Sequence, residues 1–364
     1  MGRAVPGAPD ILRRVETLSQ RDLNRALLAR QGLLEPLALA LPAALDAVCG
    51  IQAQYAPSMY VGAWSRMRGL ARDDVTRALE RREVVQATLL RGTIHLVSPG
   101  DYWAFALAIR EERRTWWLRA TAKAGAPRAA AMERAGATLR AALADGATLR
   151  RAEIDELLGK QTAHGIGMWV DLVRVPPSGT WERRRADVFG LAEDWIGPPA
   201  VTGDPLQHLV ARYLRAFGPA SRKDVASFTG LKPGDLVPAL AALEPARYAT
   251  ESGDELLDLP GAPLPRGDVA APVRFLPTWD AALLVHARRT QVLPERFRPL
   301  VFHVKLPQSV PTFLVDGAVA GTWRFEEGEI ALAPFEPLPG AVLDEVRAAA
   351  EPLAAFHGMS TAAG

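Results

Sequence analysis

Apolar residues recur with helical spacing along most of the first 260 positions, and short β-rich runs interrupt them at intervals. The first helix is predicted after Ser19. In QRDLNRALLARQ, Leu23, Leu27 and Leu28 share a face, Ser19 offers an N-cap, and Gly32 stands where a left-handed exit belongs. Further helices are predicted over PAALDAVCGIQ from Pro42, over SMYVGAWSRMR, and over VTRALERR, the last capped by Asp73 or Asp74. VVQATLL and TIHLV then read as strands around a tight turn at Arg91-Gly92. Helices followed by a β-hairpin describe a winged helix.

The clearest copy of this pattern spans residues 204 to 260. DPLQHLVARYLRAF makes a helix, Gly218-Pro219 breaks it, Ser221 caps RKDVASFTGL, and Pro233 opens a third helix. ARYAT and ELLDL flank Ser252-Gly253-Asp254, a composition suited to a hairpin turn. A weaker copy covers roughly residues 129 to 200, with helices through MERAGATLRAALA and TLRRAEIDELLG, then MWVDLVRV, and a wing near WERRRADVFG. Beyond residue 270, RFLPTWDAALLVHA, PLVFHVKL, TFLVDGAVAGTWRF and EIALAPF read as short β-rich runs, and VLDEVRAAAEPLAAF as a closing helix. The fold class expected is α+β, mainly α: three winged-helix units at 15–125, 126–203 and 204–262, then a β-rich element at 263–364.

Composition narrows the function classes. Of 364 residues, 49% are hydrophobic and 23% charged, which is ordinary globular composition. The single cysteine, Cys49, excludes an intrachain disulfide and a thiolate metal cage. The first ten residues lack the apolar core of a secretory signal, and the apolar stretch from Leu37 to Ile51 carries Pro42 and Asp46 and is too short to span a bilayer. A soluble cytoplasmic protein is expected. The net charge of +2 hides an asymmetry: residues 1–160 carry +7, residues 161–235 carry +1 and residues 236–364 carry −6. Only five of the 43 basic residues are lysines. Guanidinium suits bidentate phosphate contact, although a GC-rich genome also favours arginine codons.

The six histidines are far apart and form no short-spaced metal pattern, and no P-loop, nucleophile elbow or dinucleotide fingerprint is present; Gly165-Ile166-Gly167 lacks the third glycine. Neither a metal nor an organic cofactor is expected. A fold of winged helices points to duplex DNA by association only, because such units also serve as protein-interaction modules.

Stronger guidance comes from longer strings. Gly50-Ile51-Gln52-Ala53-Gln54-Tyr55-Ala56-Pro57-Ser58, Val61-Gly62-Ala63-Trp64-Ser65-Arg66 and Leu90-Arg91-Gly92-Thr93-Ile94-His95-Leu96-Val97 closely resemble the winged-helix DNA glycosylases of the AlkZ type. Gly218-Pro219-Ala220, Phe275-Leu276-Pro277-Thr278-Trp279-Asp280, His286-Ala287-Arg288-Arg289, Val315-Asp316-Gly317 and Gly321-Thr322-Trp323 extend the resemblance in order over most of the chain. The resemblance implies three tandem winged helices around a DNA channel. It also implies monofunctional excision of alkylated purines from double-stranded DNA, bulky natural-product adducts and interstrand crosslinks included. The paired glutamines that are catalytic in that family map onto Gln52 and Gln54; a sister group has aspartate at the second position. The rival reading is a non-catalytic winged-helix regulator that binds DNA. The chain is expected to act as a monomer without a membrane partner.

Neutral amides suffice if the leaving group already carries charge. Alkylation at N7 of guanine, or N3 or N7 of adenine, makes the base cationic, so it departs neutral without a general acid. A glutamine carbonyl then needs only to orient water toward the sugar. In an ideal helix residues i and i+2 point about 200° apart, so convergence of Gln52 and Gln54 predicts a helix C-terminus beside them. Without the flanking strings, Q-x-Q also reads as two exposed helix-end residues.

Other candidates carry two readings each. Asp46, eight residues before Gln54, lies along a similar helix face and offers a carboxylate to a cationic sugar, or is a capping or solvent-facing residue. Arg91 and Thr93 are candidate DNA contacts at the hairpin turn, where turn chemistry alone also explains Gly92. His95, between Ile94 and Leu96, reads as a half-buried strand histidine. His286, Arg288 and Arg289 form a basic projection suited to a minor groove, or a solvated turn pairing with Glu295. Arg110, Arg113, Arg114 and Arg119 lie on one helix beside Trp116 and Trp117, and Arg183, Arg184 and Arg185 in the second wing.

Overall fold

The computed structural model describes residues 15–125, 127–284, 290–302 and 309–358. The first segment runs β1 (Glu16–Leu18), α1 (Gln20–Arg30), α2 (Leu41–Val48), β2 (Ile51–Gln52), α3 (Ala56–Trp64), α4 (Arg72–Glu80), a hairpin of β3 (Val85–Thr88) and β4 (Ile94–Val97), and the long α5 (Pro99–Thr121). The second runs α6 (Ala129–Ala142), β5 (Leu149–Arg150), α7 (Arg151–Leu158), α8 (Lys160–Gly165), β6 (Leu172–Arg174), β7 (Val188–Leu191) and α9 (Ala192–Ile196). The third contains α10 (Pro205–Phe217), α11 (Arg222–Thr229), α12 (Val237–Ala242), β8 (Ala246–Thr250) and β9 (Glu255–Asp258). The last contains β10 (Arg274–Leu276), α13 (Ala281–Leu284), α14 (Arg298–Val301), β11 (Thr312–Val315), β12 (Ala318–Glu326), β13 (Glu329–Pro334) and α15 (Gly340–Gly358).

Local chemistry places the helix starts. Ser19 accepts the Asp22 N–H while the Asp22 carboxylate takes the Ser19 N–H, a reciprocal capping box, and Ser221 with Asp224 repeats it on α11. At α4 the N-cap is Ala71, with Asp74 accepting its N–H. Asp204 caps α10. Three predicted elements differ. The helix from Pro42 stops at Val48, because Cys49 and Gly50 both take positive φ, and a Cβ on Gly50 would stand 2.8 Å from Val97 Cγ1. The ALLV run is helical in its first four-residue turn, Ala281–Leu284, where the Asp280 carboxylate accepts the Ala282 N–H at 2.9 Å. Pro299 opens a short helix where a β-rich run was predicted.

The sheets cross the predicted boundaries. One six-stranded sheet, in the order β2-β4-β3-β6-β7-β5, joins the hairpins of the first and second segments. β1 leaves the first segment and pairs in parallel with β8, Glu16 opposite Tyr248. β10 to β13 form an antiparallel sheet in chain order. Three apolar clusters follow: α1, α5 and the third segment around Tyr213 and Phe217; α2 to α4 against β10 to β12 and α15; and α6 to α8 around Trp117 and Trp169. Buried Arg66, just beyond α3, donates to both oxygens of Asp280 at 2.9 and 2.8 Å, tying the second cluster to the last segment.

Candidate active site

Gln52 lies on β2 and Gln54 in the bend that leads into α3, rather than at the predicted helix C-terminus. β2 pairs with β4, Ile51 opposite Leu96 and Gln52 opposite His95, and the Ala53 N–H continues the ladder to Ile94 O at 2.7 Å. Gln52 is buried and Gln54 exposed. Gln54 Oε1 accepts the Ile94 N–H at 2.8 Å, and Gln52 Oε1 lies 3.5 Å from Arg91 Nη2. Each carbonyl keeps a second lone pair. Neither amide nitrogen has a hydrogen-bond partner among the described residues.

Arg91 occupies the hairpin turn with φ 53°. Its Nη1 donates to Phe228 O at 2.8 Å and its guanidinium lies 5.4 Å from the Phe228 ring, so it joins the hairpin to α11. Burial pushes its pKa down to about 10, which leaves it charged at neutral pH. Thr93 Oγ1 donates to Leu90 O and closes the turn. His95 is fully buried rather than half-buried. Burial, with the nearby Arg91 and Arg113, pushes its pKa down to about 3, so it stays neutral.

Asp46 does not align with Gln54, because α2 has ended before the glutamines. Its carboxylate accepts Ser98 Oγ at 2.6 Å and pairs with Arg212 at 3.1 Å, and burial raises its pKa. Arg212 also donates to Asp101 Oδ1 at 2.9 Å, and His208 Nε2 lies 2.7 Å from the same oxygen. The sequence offered no signal for this cluster, whose members are a hundred residues or more apart from Asp101 to α10. Arg110 pairs with Asp171, Arg114 donates to Met168 O, and Arg119 is exposed. Trp117 is core, but Trp116 is 60% exposed.

Arg113 Nη1 donates to Thr88 O at 3.1 Å, and Arg174 Nη2 donates to Thr88 Oγ1 at 3.0 Å with its guanidinium 5.2 Å from the Phe189 ring. Arg174 was missed; a lone arginine inside an otherwise apolar strand was the available signal. Arg183, Arg184 and Arg185 are exposed between β6 and β7, and Arg184 donates to the Tyr55 hydroxyl at 2.9 Å, next to Gln54. His286, Arg288 and Arg289 lie outside the described residues. Among the described residues no group of three His, Cys, Asp or Glu side chains could hold a metal ion, and no helix is long and apolar enough to cross a membrane.

A helix-and-hairpin chain with an exposed amide beside a basic turn is the setting in which the relatives enter. The family model for AlkZ-like DNA glycosylases matches residues 45–356. The fold is similar to that of the Streptomyces sahachiroi DNA glycosylase AlkZ, with a TM-score of 0.78 at 20% identity over 94% of this chain and 97% of that one. No curated protein matches. The chain belongs to the AlkZ-like DNA glycosylase family. It is a DNA glycosylase, and DNA is its substrate.

Proposed function

We propose that this glycosylase removes purines alkylated at N7 of guanine or at N3 or N7 of adenine, bulky adducts among them, with Gln52 and Gln54 placing the attacking water. The observation that carries the reading is that, among the described residues, the nearest candidate acid and base are engaged: His95 is held neutral, and Asp46 is bound to Ser98 and Arg212. Such a site favours a leaving group that needs no proton. The C1′–N9 bond breaks with its electron pair going to the cationic purine, which leaves neutral. Water held by the amides adds to C1′ and gives its proton to solvent. Ile94 N–H fixes the Gln54 carbonyl, so its remaining lone pair and its NH₂ group have a set direction.

The three helix-then-hairpin segments act, in this reading, as winged helices around one duplex, with Arg91, Thr93, His286, Arg288 and Arg289 as DNA contacts. The chain works as a monomer. A Gln52→Ala, Gln54→Ala double variant should release N7-methylguanine from duplex DNA about 10²-fold more slowly in single-turnover assays. Release at the wild-type rate would end the proposal.

A further inference from the structure

The basic loop between β6 and β7 is built to hold its arginines still. Ser178 Oγ donates to Arg185 O at 2.9 Å and accepts the Asp187 and Val188 N–H groups, while the Gly179 N–H reaches Arg183 O at 2.8 Å. Buried Gln86 donates to Gly179 O at 2.6 Å, and with φ 79° at Gly179 a Cβ there would stand 2.6 Å from Gln86 Oε1. Trp181 roots the loop in the second apolar cluster, edge-on to Tyr60 and to His357. A loop fixed in this way loses little freedom on binding.

Its acids are already engaged. Asp187 pairs with Arg185 at 2.9 Å, and Glu182 faces Arg72 at 3.9 Å. Arg183 and Arg184 are exposed, and neither forms an ion pair with a carboxylate among the described residues. Permanent charges on a rigid support, with no anion of their own, suit an oxyanion. Arg184 donates to the Tyr55 hydroxyl at 2.9 Å and lies 5.9 Å from its ring. That bond occupies a lone pair of the hydroxyl, whose own proton is left to give. Tyr55, 44% exposed, therefore adds an O–H donor to the two guanidinium groups. It follows Gln54 in the chain, while Arg91 stands beside Gln52, so cationic groups flank the amide segment at both ends.

We propose that Arg183, Arg184 and Tyr55 bind one backbone phosphate of the strand that carries the lesion, next to the damaged nucleotide. The inference rests on the role proposed for Gln52 and Gln54, because that role brings the sugar under attack close to Tyr55. The phosphates nearest a sugar are the two that flank it on its own strand, so the seat belongs to the lesion strand. Such a contact sets the register of the duplex and reads no base. It binds substrate and transition state alike, so it lowers the protein concentration needed for reaction and leaves the chemical step unchanged.

The probe is a duplex with one 2′-fluoro-N7-methyldeoxyguanosine, which resists cleavage, and a single neutral methylphosphonate moved along either strand. Wild-type protein should bind about tenfold more weakly when the methylphosphonate replaces a phosphate flanking the lesion on its own strand. An Arg183→Ala, Arg184→Ala variant, with thermal unfolding unchanged, should be indifferent to that replacement. Its slope of log affinity against log salt should fall by about one to two. On cleavable N7-methylguanine duplex it should need about tenfold more protein for half-maximal rate, with the single-turnover rate at saturation within about threefold of wild type. An unchanged salt slope, no sensitive phosphate beside the lesion, or a sensitive phosphate on the opposite strand overturns the seat. If the methylphosphonate pattern holds but wild type excises no alkylated purine, the seat stands and the glutamine chemistry fails instead.

Discussion

Two sets of arginines, one fully buried and one partly so, differ in what answers their charge. At the junction of α1 and α3 with the C-terminal half, Arg30 forks onto Asp258 at 2.8 and 2.7 Å and Arg66 onto Asp280, with all four side chains nearly inaccessible. Around Thr88, among the described residues, Arg91, Arg113 and Arg174 donate to carbonyls, a hydroxyl and an amide and lie against aromatic faces, with the Asp171 charge acting on Arg113 without an ion pair. The first set is electrically complete and ties distant segments together. The second is held by neutral partners, with no carboxylate bonded to it among the described residues. Within one chain, a directly bonded carboxylate separates arginines locked in ion pairs from arginines held by neutral partners.

Removing the acid from a complete pair should cost most. Asp258→Ala leaves Arg30 buried without its partner and is expected to lower stability by about 3–5 kcal/mol in urea unfolding; a loss below about 1 kcal/mol would erase the contrast. Acid is the next lever. His95 and His357 are pushed down to about 3 and about 4, both chiefly by burial, while an unfolded histidine titrates near 6.5. Above pH 6.5 neither contributes. As pH falls below 6.5 the unfolded chain takes up protons that the native state refuses, so stability drops by up to about 1.4 kcal/mol per pH unit for each histidine. A His95→Gln variant should show a shallower acid slope between pH 6 and 4 in thermal unfolding, since a proton on His95 would add another charge beside Arg91 and Arg113. The smallest change belongs to Arg91→Met. It removes no ion pair, so stability should move by about 1 kcal/mol at most, while the slope of log affinity for DNA against log salt falls by about one.

Signals confined to a few neighbouring residues were legible in the sequence. The caps at Ser19 and Ser221 and the hairpin turns at Arg91-Gly92 and Ser252-Gly253-Asp254 appear where their chemistry predicts, whereas α4 is capped at Ala71 and not at Asp73 or Asp74. The end of α2 was legible too, in Gly50, but the apolar run through Ile51 masked it. That placed Gln52 and Gln54 beside a predicted helix C-terminus, whereas Gln52 lies on β2 and Gln54 in the bend before α3. The ALLV run shows the ambiguity of short apolar stretches, which periodicity alone cannot assign. Nothing local announces that β1 joins β8, or that Arg113 and Arg174 meet at Thr88 from 25 and 86 residues away. Those meetings are decided by packing between segments.

The pairing of β1 with β8 and of Arg30 with Asp258 sets an order of events during synthesis. The acceptor for Arg30 lies 228 residues downstream. At about 5–20 residues per second, α1 leaves the ribosome roughly ten to fifty seconds before its acceptor exists. The core around Leu27 and Leu28, which closes against α10 and Leu257, therefore forms late, after most of the chain has emerged.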